Sequence, residues 1–119
     1  MSDEFIRVAT QEINEELSGI STILGSCLND SDVSKNSQQI EAHMHKIKGL
    51  APMMGKENVG ELAKTLDVIL KKIVAGNNVD GFCNPLLSSI DQMKLSMEKP
   101  HDLTSIQKQI SNIAAKIVD

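Results

Sequence analysis

Apolar residues recur at steps of three and four along almost the whole chain. Over about residues 3–28 they fall at Ile6, Ala9, Ile13, Leu17, Ile20, Leu24 and then Cys27 or Leu28, which keeps them on one face of an amphipathic helix of about seven turns. Ser2 or Asp3 suits the N-cap, and Asp3 and Glu4 put negative charge at the positive end of the macrodipole. Gly19 and Gly25 fall inside this helix. Each costs up to ~1 kcal/mol relative to alanine, so they mark either close approach of another helix or positions where the cost is tolerated. Residues 29–36, rich in Asn, Asp and Ser with Val33 as the lone apolar residue, read as the first loop.

The same periodicity predicts four more helices. The second covers about residues 37–53, with Ile40, Met44, Ile47 and Leu50 or Ala51 as its buried stripe. Pro52 disrupts its last turn and Gly55 marks a stop or sharp bend. The third covers about residues 56–75, with a broad face of Val59, Leu62, Ala63, Leu66, Ile69, Leu70 and Ile73, and Gly76-Asn77-Asn78 ends it. The fourth, about residues 84–98, begins firmly at Asn84 as N-cap before Pro85 at the first helical position. It carries Leu86, Leu87, Ile90, Met93 and Met97 and closes at Lys99-Pro100. The fifth, about residues 103–118, runs from an Asp102 cap through Leu103, Ile106, Ile110, Ile113, Ala114 and Ile117. No strand pattern or repeat interrupts the series. The expected fold is all-α: an antiparallel four-helix bundle with an additional C-terminal fifth helix.

Composition narrows the function classes. A chain of 119 residues suits one domain, residues 1–119, burying roughly two thirds of the surface its unfolded form exposes. Trp and Tyr are absent and Phe5 and Phe82 are the only aromatics, so Leu, Ile, Val and Met must build the core. The formal net charge of −4, with lysines interspersed, argues against a general nucleic-acid binder and points to protein partners. No apolar run approaches the ~20 residues that span a bilayer. Cys27 and Cys83 stand apart, without zinc-type spacing and without a secretory leader ahead of them, and read as reduced core thiols of a soluble, cytoplasmic protein.

The chemistry concentrates at His45-Lys46-Ile47-Lys48-Gly49. On a helix, His45, Lys48 and Gly49 share a flank off the apolar stripe, close to Glu41. His43 and His45 lie about 200° apart around that helix and cannot hold one metal together. His43 lacks the Lys-Gly pair that follows His45 and is the weaker candidate, and His101 reads as an exposed loop residue. An imidazole that accepts and passes on a phosphoryl group must be neutral, hold one tautomer and offer its free nitrogen to solvent. If the second and third helices form a hairpin about residues 52–55, Asp67 lies at a height comparable to His45 and can accept from its other ring nitrogen. Lys48 would screen charge on the phosphoryl oxygens, the alternative being a solvated lysine. Gly49 would leave room for a partner's loop, the alternative being close helix packing. Met44 belongs to the core; Met53 and Met54 suit either the core or an adaptable docking surface.

His45 through Gly49, continued through Ala51 to Gly55, resembles the histidine phosphotransfer (HPt) motif, in which the acceptor histidine is followed by a hydrophobic residue, Lys and Gly. The chain is similar above all to the N-terminal phosphotransfer domain of CheA-type chemotaxis histidine kinases, and its fifth helix favours that type. In that family a glutamate on the third helix bonds the histidine; Asp67 takes that place here, one methylene shorter. Pro52-Met53-Met54 also departs from the small and aromatic residues common in the turn. The resemblance implies a phosphoryl carrier, not an enzyme. His45 would be phosphorylated by a histidine kinase catalytic domain and pass the group to an aspartate of a response-regulator receiver. The carrier would be monomeric in isolation, with no cofactor, metal, membrane or nucleic acid. No glycine-rich phosphate loop or nucleotide signature is present in the sequence. Such a domain either stands alone or heads a CheA-like kinase. A helical-bundle adaptor that binds a protein and never carries phosphate is the alternative.

Overall fold

The periodic segments form helices in a computed structural model, which describes residues 2–117. The six helices of the described residues are α1 (Asp3–Leu24), α2 (Asp30–Lys35), α3 (Ser37–Met53), α4 (Glu57–Val74), α5 (Cys83–Glu98) and α6 (Thr104–Ala115). Among those residues there is no strand. The chain is all-helical, and the five expected helices are joined by a sixth.

Local chemistry explains where the helices start and stop. Ser2 Oγ accepts the Phe5 N–H at 3.1 Å, and Asp3 and Glu4 occupy the first turn of α1. Gly25 is the C-cap of α1 and not an interior residue, so the helix ends before the expected Leu28. The predicted loop at 29–36 contains α2. Asn29 caps it by accepting the Asp32 N–H at 2.9 Å, with Asp30 and Asp32 in its first turn and Lys35 in its last. Only Val33 of α2 is buried, and a single apolar residue has no periodicity to read.

At the other end of α3, Pro52 is accommodated inside the last turn. The Lys56 N–H returns to the Ala51 carbonyl at 2.9 Å, and Gly55 reverses the chain with φ 89°. The start of α5 is a correction. Its first residue is Cys83, not Pro85, and Asn84 is not its N-cap. Instead Asp30 reaches across from α2, accepting the Gly81 N–H at 2.7 Å and the Cys83 N–H at 2.8 Å. Helix α6 starts at Thr104 with Leu103, not the expected Asp102, at the N-cap, although the Asp102 carboxylate accepts the N–H and the O–H of Thr104 at 2.9 and 2.6 Å. The α6 helix ends at Ala115; residue 118, the expected limit, lies outside the described residues.

Helices α3 and α4 form the most extensive pair; α1 packs on α3 and α5, and α6 on α4 and α5. Thr10 meets Met54 and Glu16 meets His43, so α1 and α3 run antiparallel. Pro52 packs on Gly60 and Lys48 bonds Asp67, so α3 and α4 do too. The core is aliphatic, as the composition requires: Ile13, Leu17, Ile40, Ile47, Leu66 and Leu86 are fully buried. Cys27 and Cys83 are free and buried within it, and burial raises the pKa of both thiols. No helix among the described residues is long and apolar enough to cross a membrane.

Candidate functional site

The stripe Ile40, Met44, Ile47 and Ala51 turns one face of α3 into the core. His45, one residue past Met44, is rotated by about 100° onto the flank, and its side chain is 58% exposed. Its Nδ1 lies 3.5 Å from Asp67 Oδ2 on α4 and 3.8 Å from Glu41 Oε2, one turn earlier on α3. Nε2 is then the ring nitrogen turned away from the carboxylates. The Lys48 ammonium donates to Asp67 Oδ2 at 2.8 Å, and Lys71, one turn beyond Asp67, pairs with the same oxygen at 3.1 Å. A Cβ placed on Gly49 would meet no atom within 4 Å. This glycine faces open space, which sets aside helix packing as its reason.

Asp67 is the electrostatic centre of the group. Its side chain is 2% exposed and its Oδ1 is buried with no hydrogen-bond partner. Burial pushes the Asp67 carboxyl upward, but the neighbouring Glu41 and the Lys48 and Lys71 ammonium groups outweigh that and hold it at about 2. A buried carboxylate without such partners would cost several kcal/mol. Glu41 moves the other way. The polar contact with Asp67, then burial, then the Asp67 charge raise it above the usual glutamate range. Lys71 is raised by its bond to Asp67.

Glu41, His45 and Asp67 each offer a ligand atom within 4.8 Å of the others. Lys48 and Lys71 already bring two positive charges to Asp67, so a divalent cation entering there meets repulsion. The donor set suits a hydrogen-bonded imidazole better than a metal.

All four residues singled out from the sequence meet on this flank, His45, Lys48 and Gly49 from α3 and Asp67 from α4. Lys48 differs from expectation in that its ammonium is bonded to Asp67. Lys71 was missed, although its i,i+4 spacing from Asp67 is a readable signal. Glu41 was seen only as a neighbour. Glu16 was also missed. It contacts His43 Nδ1 at 2.7 Å, with the imidazole resting on Gly19, where an added Cβ would lie 2.7 Å from Cε1. His43 is therefore a clamp between α1 and α3, and Gly19 serves close approach. Met44 is fully buried, Met54 is buried against Thr10, and Met53 is 61% exposed. Met53 joins Glu12, Glu15, Lys46, Gly49 and Leu50 around an open groove beside His45. His101 is half-buried in the loop before α6, 3.4 Å from Gln92.

No family model, curated protein or solved structure matches the chain.

Proposed function

We propose that the protein is a histidine phosphotransfer domain of the CheA type, in which His45 carries a phosphoryl group between two proteins. In this reading α1, α3, α4 and α5 form the antiparallel four-helix bundle, α2 is a short insertion in its first connection, and α6 is the additional C-terminal helix. One observation carries the proposal. An exposed imidazole has its Nδ1 toward a buried, lysine-paired carboxylate, beside a glycine that faces open space.

The chemistry follows from that arrangement. A proton on Nδ1, facing Asp67, leaves the Nε2 lone pair free to attack the γ-phosphorus of ATP held by a separate kinase catalytic domain. The P–O bond to ADP breaks as the P–N bond forms. Positive charge developing on the ring is compensated by the Asp67 carboxylate. Lys48, on a flexible stem at i+3, can turn from Asp67 toward the phosphoryl oxygens, leaving Lys71 to hold the carboxylate. The receiver's aspartate then attacks phosphorus, and Nε2 leaves with its lone pair. The groove beside His45, open at Gly49 and lined by Met53 and Leu50, supports close approach by the partner protein.

The test is incubation with a histidine kinase catalytic domain and labelled ATP, followed by assay for acid-labile, base-stable phosphate. Wild type should label and His45→Gln should not. Equal labelling of the two would overturn the proposal. Retained partner binding without any labelling would favour the phosphate-free adaptor.

A further inference from the structure

Asp67 alone is a poor acceptor for His45. The 3.5 Å separation of Nδ1 and Oδ2 exceeds the ~2.7–3.2 Å at which N–H···O bonds are strong. The same oxygen accepts Lys48 at 2.8 Å and pairs with Lys71 at 3.1 Å, so two ammonium groups compete for its lone pairs. The unused oxygen, Oδ1, is buried. A second carboxyl stands at the ring. Glu41 Oε2 is 3.8 Å from Nδ1, and its position at i−4 puts it on the same flank of α3. The Glu41 side chain is 21% exposed, partly buried against the group it serves.

We propose that Glu41 is a positioning residue for His45: Glu41 and Asp67 together, not Asp67 alone, hold the imidazole in the Nδ1–H tautomer. The inference rests on the reading of His45 as phosphoryl acceptor. A small rotation of the exposed ring brings Nδ1–H onto Glu41 Oε2 while Asp67 stays engaged with its lysines. The neighbouring Asp67 raises the affinity of Glu41 for a proton. The two carboxyls divide the work: Asp67, buried, anchors the lysines, and Glu41, nearer solvent, follows the ring.

The tautomer can be read directly from ¹⁵N shifts of the His45 ring in the full chain, at a pH where imidazole is neutral. Wild type should favour Nδ1–H. Glu41→Ala should move the ring toward the Nε2–H form and lower the maximal phosphorylation rate on the order of tenfold, with the apparent KM for the kinase domain unchanged. Glu41→Gln, which keeps a carbonyl acceptor and the side-chain volume, should fall between. Adding Asp67→Glu to Glu41→Ala should restore shift and rate, because the longer side chain reaches Nδ1. Ring shifts in Glu41→Ala and Glu41→Gln that match wild type would overturn the proposal, as would a slower rate without a tautomer change. The outcome is separable from the acceptor reading: equal labelling of His45→Gln sinks that reading, while the ring shifts still report on Glu41.

Discussion

In the proposed function, Gly49 is the residue at which stability and access pull in opposite directions. Glycine inside a helix costs about 0.5–1 kcal/mol relative to alanine, and here an added methyl meets nothing within 4 Å. Gly49→Ala should therefore raise the unfolding free energy by about that amount in urea titrations, while phosphoryl transfer to a receiver slows because the partner meets the methyl. A variant that is stabilised yet transfers at the wild-type rate would remove access as the reason for the glycine. Asp67 and Glu41 make opposed contributions to pH dependence. Asp67, held at about 2, favours the fold when ionised; that contribution is complete above about pH 4 and is lost as pH falls toward 2. Glu41, raised, disfavours the fold when ionised, and the penalty fades as pH falls through its raised value to the ordinary glutamate range. Glu41→Gln should thus be more stable than wild type at neutral pH, with the gain vanishing near about pH 4. Stability measured at the two pH values checks this; a gain that persists at the acid end would locate its cause elsewhere. His45, Lys48, Gly49 and Asp67 were legible because three share one helical flank and the fourth follows from the length of a hairpin. The Glu16–His43 contact was not, since its partners lie on α1 and α3 with no local spacing to announce it.

Helices with four or more periodic apolar residues announced themselves; α2, with Val33 alone, did not. The start of α5 was hidden because its cap is distant in sequence. Asp30 receives the N–H groups of Gly81 and Cys83 from 51 and 53 residues away, whereas sequence reasoning looks for a cap beside the helix it closes. This contact ties α2 to the entry of α5, so Asp30→Ala should lower stability by about 1–2 kcal/mol, the usual loss for a cap. Asp30→Asn, which keeps one acceptor oxygen, should lose less, and equal losses would deny the cap its role. Glycines likewise act at the level of helix pairs. At Gly60 an added Cβ would lie 2.6 Å from Pro52 Cγ, against a ring locked to the backbone of α3. Gly60→Ala should then separate the tips of α3 and α4 and cost about 1–3 kcal/mol. At Gly19 the obstacle is the imidazole of His43, the movable end of a side chain, so the cost there is smaller and falls on the His43–Glu16 contact.

The net charge of −4 is unevenly spread around His45, and that asymmetry bears on how a partner approaches. Glu12 and Glu15 on α1 are exposed in the groove, which Lys46 also lines, while Lys48 and Lys71 engage Asp67 outside that lining. Complementary charge across an interface changes the association rate and its salt dependence more than it changes the rate of dissociation. In the proposed function, a receiver that docks over Gly49 would pass Glu12 and Glu15, and Met53, 61% exposed, would supply apolar area at the contact. Glu12→Lys with Glu15→Lys should therefore change the association rate at low salt by several-fold, and the difference should shrink as salt is added. Folding stability should stay within about 0.5 kcal/mol, since both side chains are on the surface. Met53→Ser should instead speed dissociation, weakening the complex by about 1 kcal/mol. Stopped-flow mixing with a receiver at two salt concentrations separates the two effects. If neither variant alters either rate while His45→Gln still abolishes transfer, the partner reaches His45 from the α4 side, and Lys71 would become the next residue to test at the contact.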